Sequence, residues 1–250
     1  MNTFTFNDRG RMDTAVTAGG TVSYMYNAAD LRVYKSGPTA MIPTGAAYFV
    51  YDEAGKLLGE YDANGVPVYE TIYLGMSPVG LIKQTGTAAG NDIAVSIYNV
   101  YSDHLAAPRV VTRQSDDAIV WRWDAAESYG GTAPNQDPNA FGTFVYNQRF
   151  PGQVFDTETG LFQNWRREYN PRIGRYMESD PIGLKGGMNT YEYVNGQPTM
   201  VVDPRGEWGL EFNIVNKSLG SPAGKLPTTM PTNPTTGKPQ PGNIFNPNAG

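Results

Sequence analysis

Residues 51–75 read YDEAGKLLGEYDANGVPVYETIYLG, and the same short unit occurs in them twice. The unit is an aromatic residue, then Asp, two variable residues and Gly, and a run rich in β-favouring residues follows it. An Asp side chain can accept hydrogen bonds from its own backbone, and Gly adopts positive φ at little cost. Each unit therefore predicts a tight turn that delivers the chain into a strand, with the aromatic side chain on the sheet face.

The unit also recurs upstream, as FNDRGRM from Phe6 and as YNAADLR from Tyr26, where Asp30 replaces the glycine. One unit buries too little apolar surface to be stable alone, so the units must stack side by side. The chain's 29 Gly, 19 Pro, 16 Tyr and 10 Phe suit such a turn-dense sheet. We predict an all-β fold, with an open-edged sheet over residues 1 to about 180 and a helix plausible only in 184–193.

Composition and charge exclude several classes of function. A net charge of −5 and a pI near 4.9 argue against nucleic acid as a partner. The sequence has no cysteine, which excludes disulfides, a thiol nucleophile and Cys-type zinc sites. His104 is the only histidine, no glycine-rich phosphate loop is present, and the carboxylates lack metal-ligand spacing, so we predict no cofactor and no metal. There is no signal-peptide pattern and no apolar run of about 18 residues, so no membrane span is expected.

The pattern Asp-Pro-x-Gly occurs twice near the end of the chain, as DPIG from Asp180 and DPRG from Asp203. These residues are the preferred ones of a type I turn, so two structural turns are one interpretation. The other is an acid–base pair that acts on the chain itself. Two carboxyls that share a site cannot both ionise easily, so one can donate a proton while the other accepts one.

Longer motifs resemble a known family. The units above are similar to the YD repeat of the Rhs and teneurin-like families. The stretches YSDHLAAPRVVT (101–112), RFPGQVFDTETGLFQNWRREYNPRIGRYMESDPIG (149–183) and NTYEYVNGQPTMVVDPRG (189–206) are similar to the Rhs core domain. The resemblance implies strands that spiral into part of a large hollow β shell. It also implies three segments: a repeat region (1–148), a core domain (149–209) and a variable C-terminal tail (210–250).

The resemblance also implies a site. In the Rhs family the C-terminal segment is cut from the shell by self-cleavage that depends on the acidic motifs. Asp180 and Asp203 match the paired aspartates, and Arg167 matches the arginine ahead of the first motif. Glu168 stands where many members carry an aromatic residue, and a carboxylate there could assist.

The expected cleavage region departs from the family pattern. Many members are cut after a leucine that follows the second motif, and here Glu207 occupies that position, with Trp208 and Gly209 next. A charged side chain beside the scissile bond could change local pKa values or misplace the bond. Cleavage and turn-only interpretations therefore both stay open.

The resemblance predicts a module that encapsulates, and releases by aspartate-dependent self-cleavage, a C-terminal effector segment in toxin delivery. Its partners would be the remainder of a larger shell or delivery machinery, a toxin segment or an immunity protein. It would be cytoplasmic before export and then secreted, or held at the cell surface, by a non-Sec route. The alternative is a non-enzymatic structural or cell-surface fragment, an orphan remnant without cleavage. A third hypothesis, carbohydrate binding through the aromatic residues, competes with their packing in the repeats.

The tail differs from the rest of the chain in composition. Pro, Thr, Gly and Asn dominate it, and no acidic residue follows Glu211. Such a stretch cannot bury a core, so we expect disorder from about residue 216 onward.

Overall fold

A computed structural model describes residues 2–85, 94–124, 127–207 and 210–211. The chain divides into two units, Met1–Phe212 and Asn213–Gly250, and every described residue belongs to the first. The expectation of a disordered tail therefore falls outside the described residues, as do Trp208 and Gly209. Within the described ranges, no helix is long and apolar enough to cross a membrane.

The first sheet is an antiparallel meander of eleven strands, each paired with its neighbours in the chain. The strands are β1 (Thr3–Phe6), β2 (Met12–Thr17), β3 (Gly20–Tyr26), β4 (Arg32–Ser36), β5 (Ala46–Tyr51), β6 (Leu57–Asp62), β7 (Pro67–Leu74), β8 (Ser77–Thr85), β9 (Ala94–Ser102), β10 (Pro108–Arg113) and β11 (Ile119–Arg122). Because β1 and β11 do not pair with each other, the sheet is open rather than a closed barrel. The all-β prediction is confirmed.

The repeat units form the turns that their residues predict. In the unit from Tyr51, Asp52 Oδ1 accepts hydrogen bonds from the N–H groups of Ala54 (2.9 Å) and Lys56 (2.8 Å). Gly55 takes the left-handed conformation, with φ of 83°. The same two hydrogen bonds, to the residues two and four positions on, form at Asn7, Asn27, Asp62 and Asp103. One turn chemistry thus builds five of the hairpins.

The remaining strands form a second sheet of four strands and a two-stranded ribbon. The second sheet contains β12 (Gln153–Asp156), β13 (Leu161–Asn164), β14 (Arg167–Asn170) and β15 (Arg175–Tyr176), and the ribbon contains β16 (Val201–Val202) and β17 (Leu210–Glu211). The helix considered for 184–193 is wrong. A 3-10 turn spans Gly183–Gly186, and Gly187 ends it with φ of 137°, a value that no helix continues through.

The second sheet packs on the first through a core that contains buried charge. Val154 and Leu161 join Met12, Val22 and Phe49 in one apolar cluster. Beside this cluster, two cations of β4 meet two acidic residues at and just after the end of β12. Four residues form this group, which we call the buried ion cluster: Arg32, Lys35, Asp156 and Glu158. It fixes the start of the second sheet against the first.

Candidate active site

Both Asp-Pro-x-Gly motifs are turns, and the second copies the turn of the repeats. Asp203 Oδ1 accepts hydrogen bonds from the N–H groups of Arg205 (3.3 Å) and Glu207 (3.1 Å). Asp180 Oδ1 accepts one from the N–H of Ile182 at 2.9 Å. Gly183 and Gly206 supply the positive φ, 60° and 62°. Each turn occupies one carboxylate oxygen and leaves Oδ2 free for another partner.

The two Oδ2 atoms meet at one guanidinium. Arg167, at the start of β14, places Nη2 at 3.0 Å from Asp180 Oδ2 and 3.2 Å from Asp203 Oδ2. All three side chains are buried. The same arginine donates from Nε to the carbonyl of Gly206 at 2.7 Å, in the second turn. The structure therefore brings together the three residues that the resemblance paired, across stretches of chain that are far apart in sequence.

Two residues that the sequence analysis did not single out complete this group. Tyr176 donates its hydroxyl proton to Asp203 Oδ2 at 2.8 Å, and its ring lies 3.6 Å from the Arg167 guanidinium. Asn164 donates from Nδ2 to the Tyr176 hydroxyl (2.7 Å) and to the Asp203 carbonyl (2.9 Å). Neither residue belongs to a motif that the sequence analysis recognised, so the sequence gave no signal for them.

Burial determines the protonation chemistry of the pair. Desolvation raises the pKa of Asp203 above its ordinary value, although the Tyr176 hydrogen bond and the Arg167 charge oppose it. The negative charge of Asp180 acts in the same direction as burial. Asp203 therefore keeps its proton to a higher pH than an exposed aspartate does, which suits it to act as a general acid.

The backbone carbonyl of Glu207 lies close to the aspartate pair. Arg167, Asp180, Asp203 and Glu207 line a small polar cavity with room for about one water molecule. Gly186 forms part of its wall. A side-chain carbon on Gly186 would lie 2.5 Å from Asp180 Oδ2 and 3.1 Å from the Glu207 carbonyl oxygen. A peptide carbonyl, an acid, a second carboxyl and space for water thus share one cavity.

Glu168 is not brought to this site. It follows Arg167 on β14, and successive residues of a strand face opposite sides of the sheet. Its charged neighbours are Arg32, Asp156, Glu158 and Glu178, and burial raises its pKa well above the ordinary value. Its carboxyl therefore lies with the buried ion cluster, on the other side of β14 from the aspartate pair.

Metal ligands and the histidine are the remaining candidates for a site that the sequence analysis considered. In those ranges no three His, Asp or Glu residues are grouped as a metal ion requires. His104 lies in the turn after β9, where Nε2 donates to the carbonyl of Thr199 at 2.9 Å. That contact ties two loops together.

Comparison with known proteins gives relatives among toxins. The toxin Tse5 of Pseudomonas aeruginosa is 38% identical over 107 residues, which are 42% of this chain and 8% of Tse5. RhsA of Dickeya dadantii, a probable deoxyribonuclease, is 34% identical over 125 residues, 50% of this chain and 8% of RhsA. The chain spans less than a tenth of the length of either relative. No protein-family model matches it.

A solved structure supports the fold. The Tc holotoxin pore of Photorhabdus luminescens aligns with a TM-score of 0.63 at 20% identity, over 87% of this chain and 10% of that one. At that sequence identity the match supports the fold and nothing further. The open meander with its repeated Asx turns and the second sheet form an all-β fold like that of this toxin. The similarity to Tse5 and RhsA supports a relationship to the Rhs/YD-repeat proteins.

Proposed function

We propose that this chain forms part of the wall of a toxin-delivery shell and cuts its own backbone once, between Glu207 and Trp208. The observation that carries the proposal is the shared cavity, in which the Glu207 carbonyl lies with the aspartates that converge on Arg167. The toxin relatives support the delivery role. The remainder of the shell and a segment released by the cut are the partners that this function requires.

The cavity can support hydrolysis of one peptide bond. Asp180 takes a proton from a water molecule, whose oxygen attacks the carbonyl carbon of Glu207. Asp203 gives its proton to the nitrogen of Trp208 as the C–N bond breaks. The products are a carboxyl group on Glu207 and an amino group on Trp208, with one water consumed. Arg167 holds both carboxyls in place and compensates the charge that develops between them.

Intact mass after expression tests the proposal. The wild-type chain should lose its intact mass of 27.3 kDa and give two fragments, residues 1–207 and 208–250. Asp180→Asn and Asp203→Asn should each stay whole, because neither carboxyl can supply both proton transfers. Asp116→Asn, at an exposed position in the β10–β11 hairpin, is the control and should cut like wild type. Wild-type protein that keeps its full mass for days would instead support the non-enzymatic shell fragment.

Gly186→Ala should slow the cut by about 10-fold to 100-fold, because a small displacement of a catalytic group has effects of this size. A methyl group cannot occupy a position 2.5 Å from Asp180 Oδ2, so the carboxyl must move. Leu184→Ala, in the same 3-10 turn but 77% exposed, is the matched control. The rate is followed by the mass of the whole chain over time. Equal cleavage rates for the two variants would show that Gly186 does not position the catalytic carboxyl.

A further inference from the structure

Asp30 breaks the repeat pattern at a conformation that favours glycine. It occupies the fourth turn position of the Tyr26 unit, where Gly10, Gly55 and Gly65 stand in the other units, and its φ is 64°. Residues with a side chain seldom adopt this conformation, and Asp is among the few that tolerate it. The turn itself does not need the carboxylate, because Asn27 already supplies the side-chain hydrogen bonds.

The carboxylate of Asp30 instead forms ion pairs with three arginines. It lies 2.8 Å from Arg9 Nη1, 3.3 Å from Arg11 Nη2 and 3.8 Å from Arg166 Nε. Arg11 also donates to the carbonyl of Arg166 at 2.8 Å. Arg166 is therefore held through its side chain by Asp30 and through its backbone by Arg11.

Arg166 in turn forms an ion pair with Glu207, between Nη1 and Oε1. Both side chains are largely buried, with 26% and 17% of their surface exposed, so the pair is less screened than a surface pair. The neighbouring Arg167 binds the two aspartates. Adjacent arginines thus bind the catalytic carboxyls and the side chain of the residue whose carbonyl is attacked.

We propose that Asp30 and Arg166 form a subsite specific for an acidic residue before the scissile bond, and that Arg166 is a positioning residue for Glu207. The inference rests on the proposed self-cleavage. Glu207 is held at two points, its N–H by Asp203 and its carboxylate by Arg166, and its carbonyl oxygen lies beside Gly186 in the cavity wall. Without the arginine, the carboxylate would be an uncompensated negative charge near the aspartates, and the carbonyl would lose its fixed position.

A double-mutant cycle on cleavage rate tests the pairing. Arg166→Gln should slow the cut by about 10-fold or more, and Glu207→Gln should have a similar effect. The double variant should be no slower than either single one, since each removes the same interaction. Arg166→Lys keeps the charge and should recover most of the rate. Independent effects that multiply in the double variant would overturn the subsite.

A second measurement does not depend on self-cleavage. In the uncut Asp180→Asn chain, a glutamyl endopeptidase should cut after Glu207 about 10-fold faster once Arg166 is replaced by Gln, because the ion pair no longer restrains the side chain. Cutting after the exposed Glu53 should stay the same and serves as the internal control. Equal rates of cutting after Glu207 with and without the Arg166→Gln substitution would refute the subsite. If the wild-type chain never cuts itself, the aspartate mechanism fails, while the endopeptidase result still decides whether Arg166 holds Glu207.

Discussion

Asp156→Ala should lower the free energy of unfolding by about 3–5 kcal/mol, the usual cost of removing one partner from a buried ion pair. Only 1% of Asp156 is exposed, and it accepts hydrogen bonds from Arg32 Nη2 at 2.8 Å and Lys35 Nζ at 3.0 Å. Both cations are buried as well. Burial raises the pKa of the carboxyls that would remain nearby, Glu158 and Glu168, so too little negative charge would be left to balance the two cations.

The effect should depend on pH. Burial alone would raise the pKa of Asp156, but Arg32 and Lys35 outweigh it and hold that pKa below its ordinary value. The stabilisation is therefore present above the unfolded-state pKa of about 4 and is lost as the pH falls further. Urea unfolding of wild type and variant should differ most near neutral pH and converge in acid.

The matched control is Asp116→Ala, which removes an ion pair with Arg113 in the β10–β11 hairpin. That pair is exposed to solvent, so its loss should change stability far less than the loss of Asp156. Similar losses for the two variants would mean that the buried ion cluster does not hold the two sheets together.

Arg167→Met should cost stability on the same scale, about 3–5 kcal/mol, and should also stop self-cleavage. The substitution leaves the buried Asp180 and Asp203 without their shared cation. It also removes the donor to the Gly206 carbonyl, which holds the second turn. Arg122→Met, at an exposed ion pair on β11, is the control and should leave both properties near wild type.

The deficit of this variant should also grow as the pH rises, but for a different reason. Burial already raises the pKa of Asp203 in the wild-type chain, and loss of the Arg167 charge should raise it further. The folded state then binds more protons than the unfolded state, so stability falls as the pH rises through the window between the two pKa values. The deficit should be larger near pH 7 than near pH 5, measured by urea unfolding after each chain's intact mass is known. A deficit that grows in acid would contradict the assignment.

The hairpin turns were predictable because their chemistry is local. An Asx side chain, the amides two and four residues later and a residue of positive φ lie within five positions, and sequence alone places them. The all-β fold follows from repeating that unit. The twin Asp-Pro-x-Gly motif belongs to the same local chemistry, which is why both of its copies form turns.

The rest of the site depends on contacts between distant segments, which no local pattern encodes. Arg167 reaches Asp203, and Arg166 reaches Asp30, only when the folded chain brings these separate segments together. Tyr176 and Asn164 belong to no local motif, so their contacts with Asp203 could not be predicted from their neighbours in sequence. Glu168 is different: strand alternation places neighbouring residues of β14 on opposite faces, and that rule applied to the sequence would have separated it from Arg167.

The sequential strand order has a consequence for folding time. Each of the eleven strands pairs with the one just made, so the first sheet can grow hairpin by hairpin, at low cost in loop closure. Asp156 must then return to Arg32 across 124 positions, and Arg167 must meet Asp203 across 36. We expect such long-range contacts to form after the local hairpins, so under the proposed mechanism a chain that stalls earlier would not cut itself. The cut, where it occurs, would report that folding is complete.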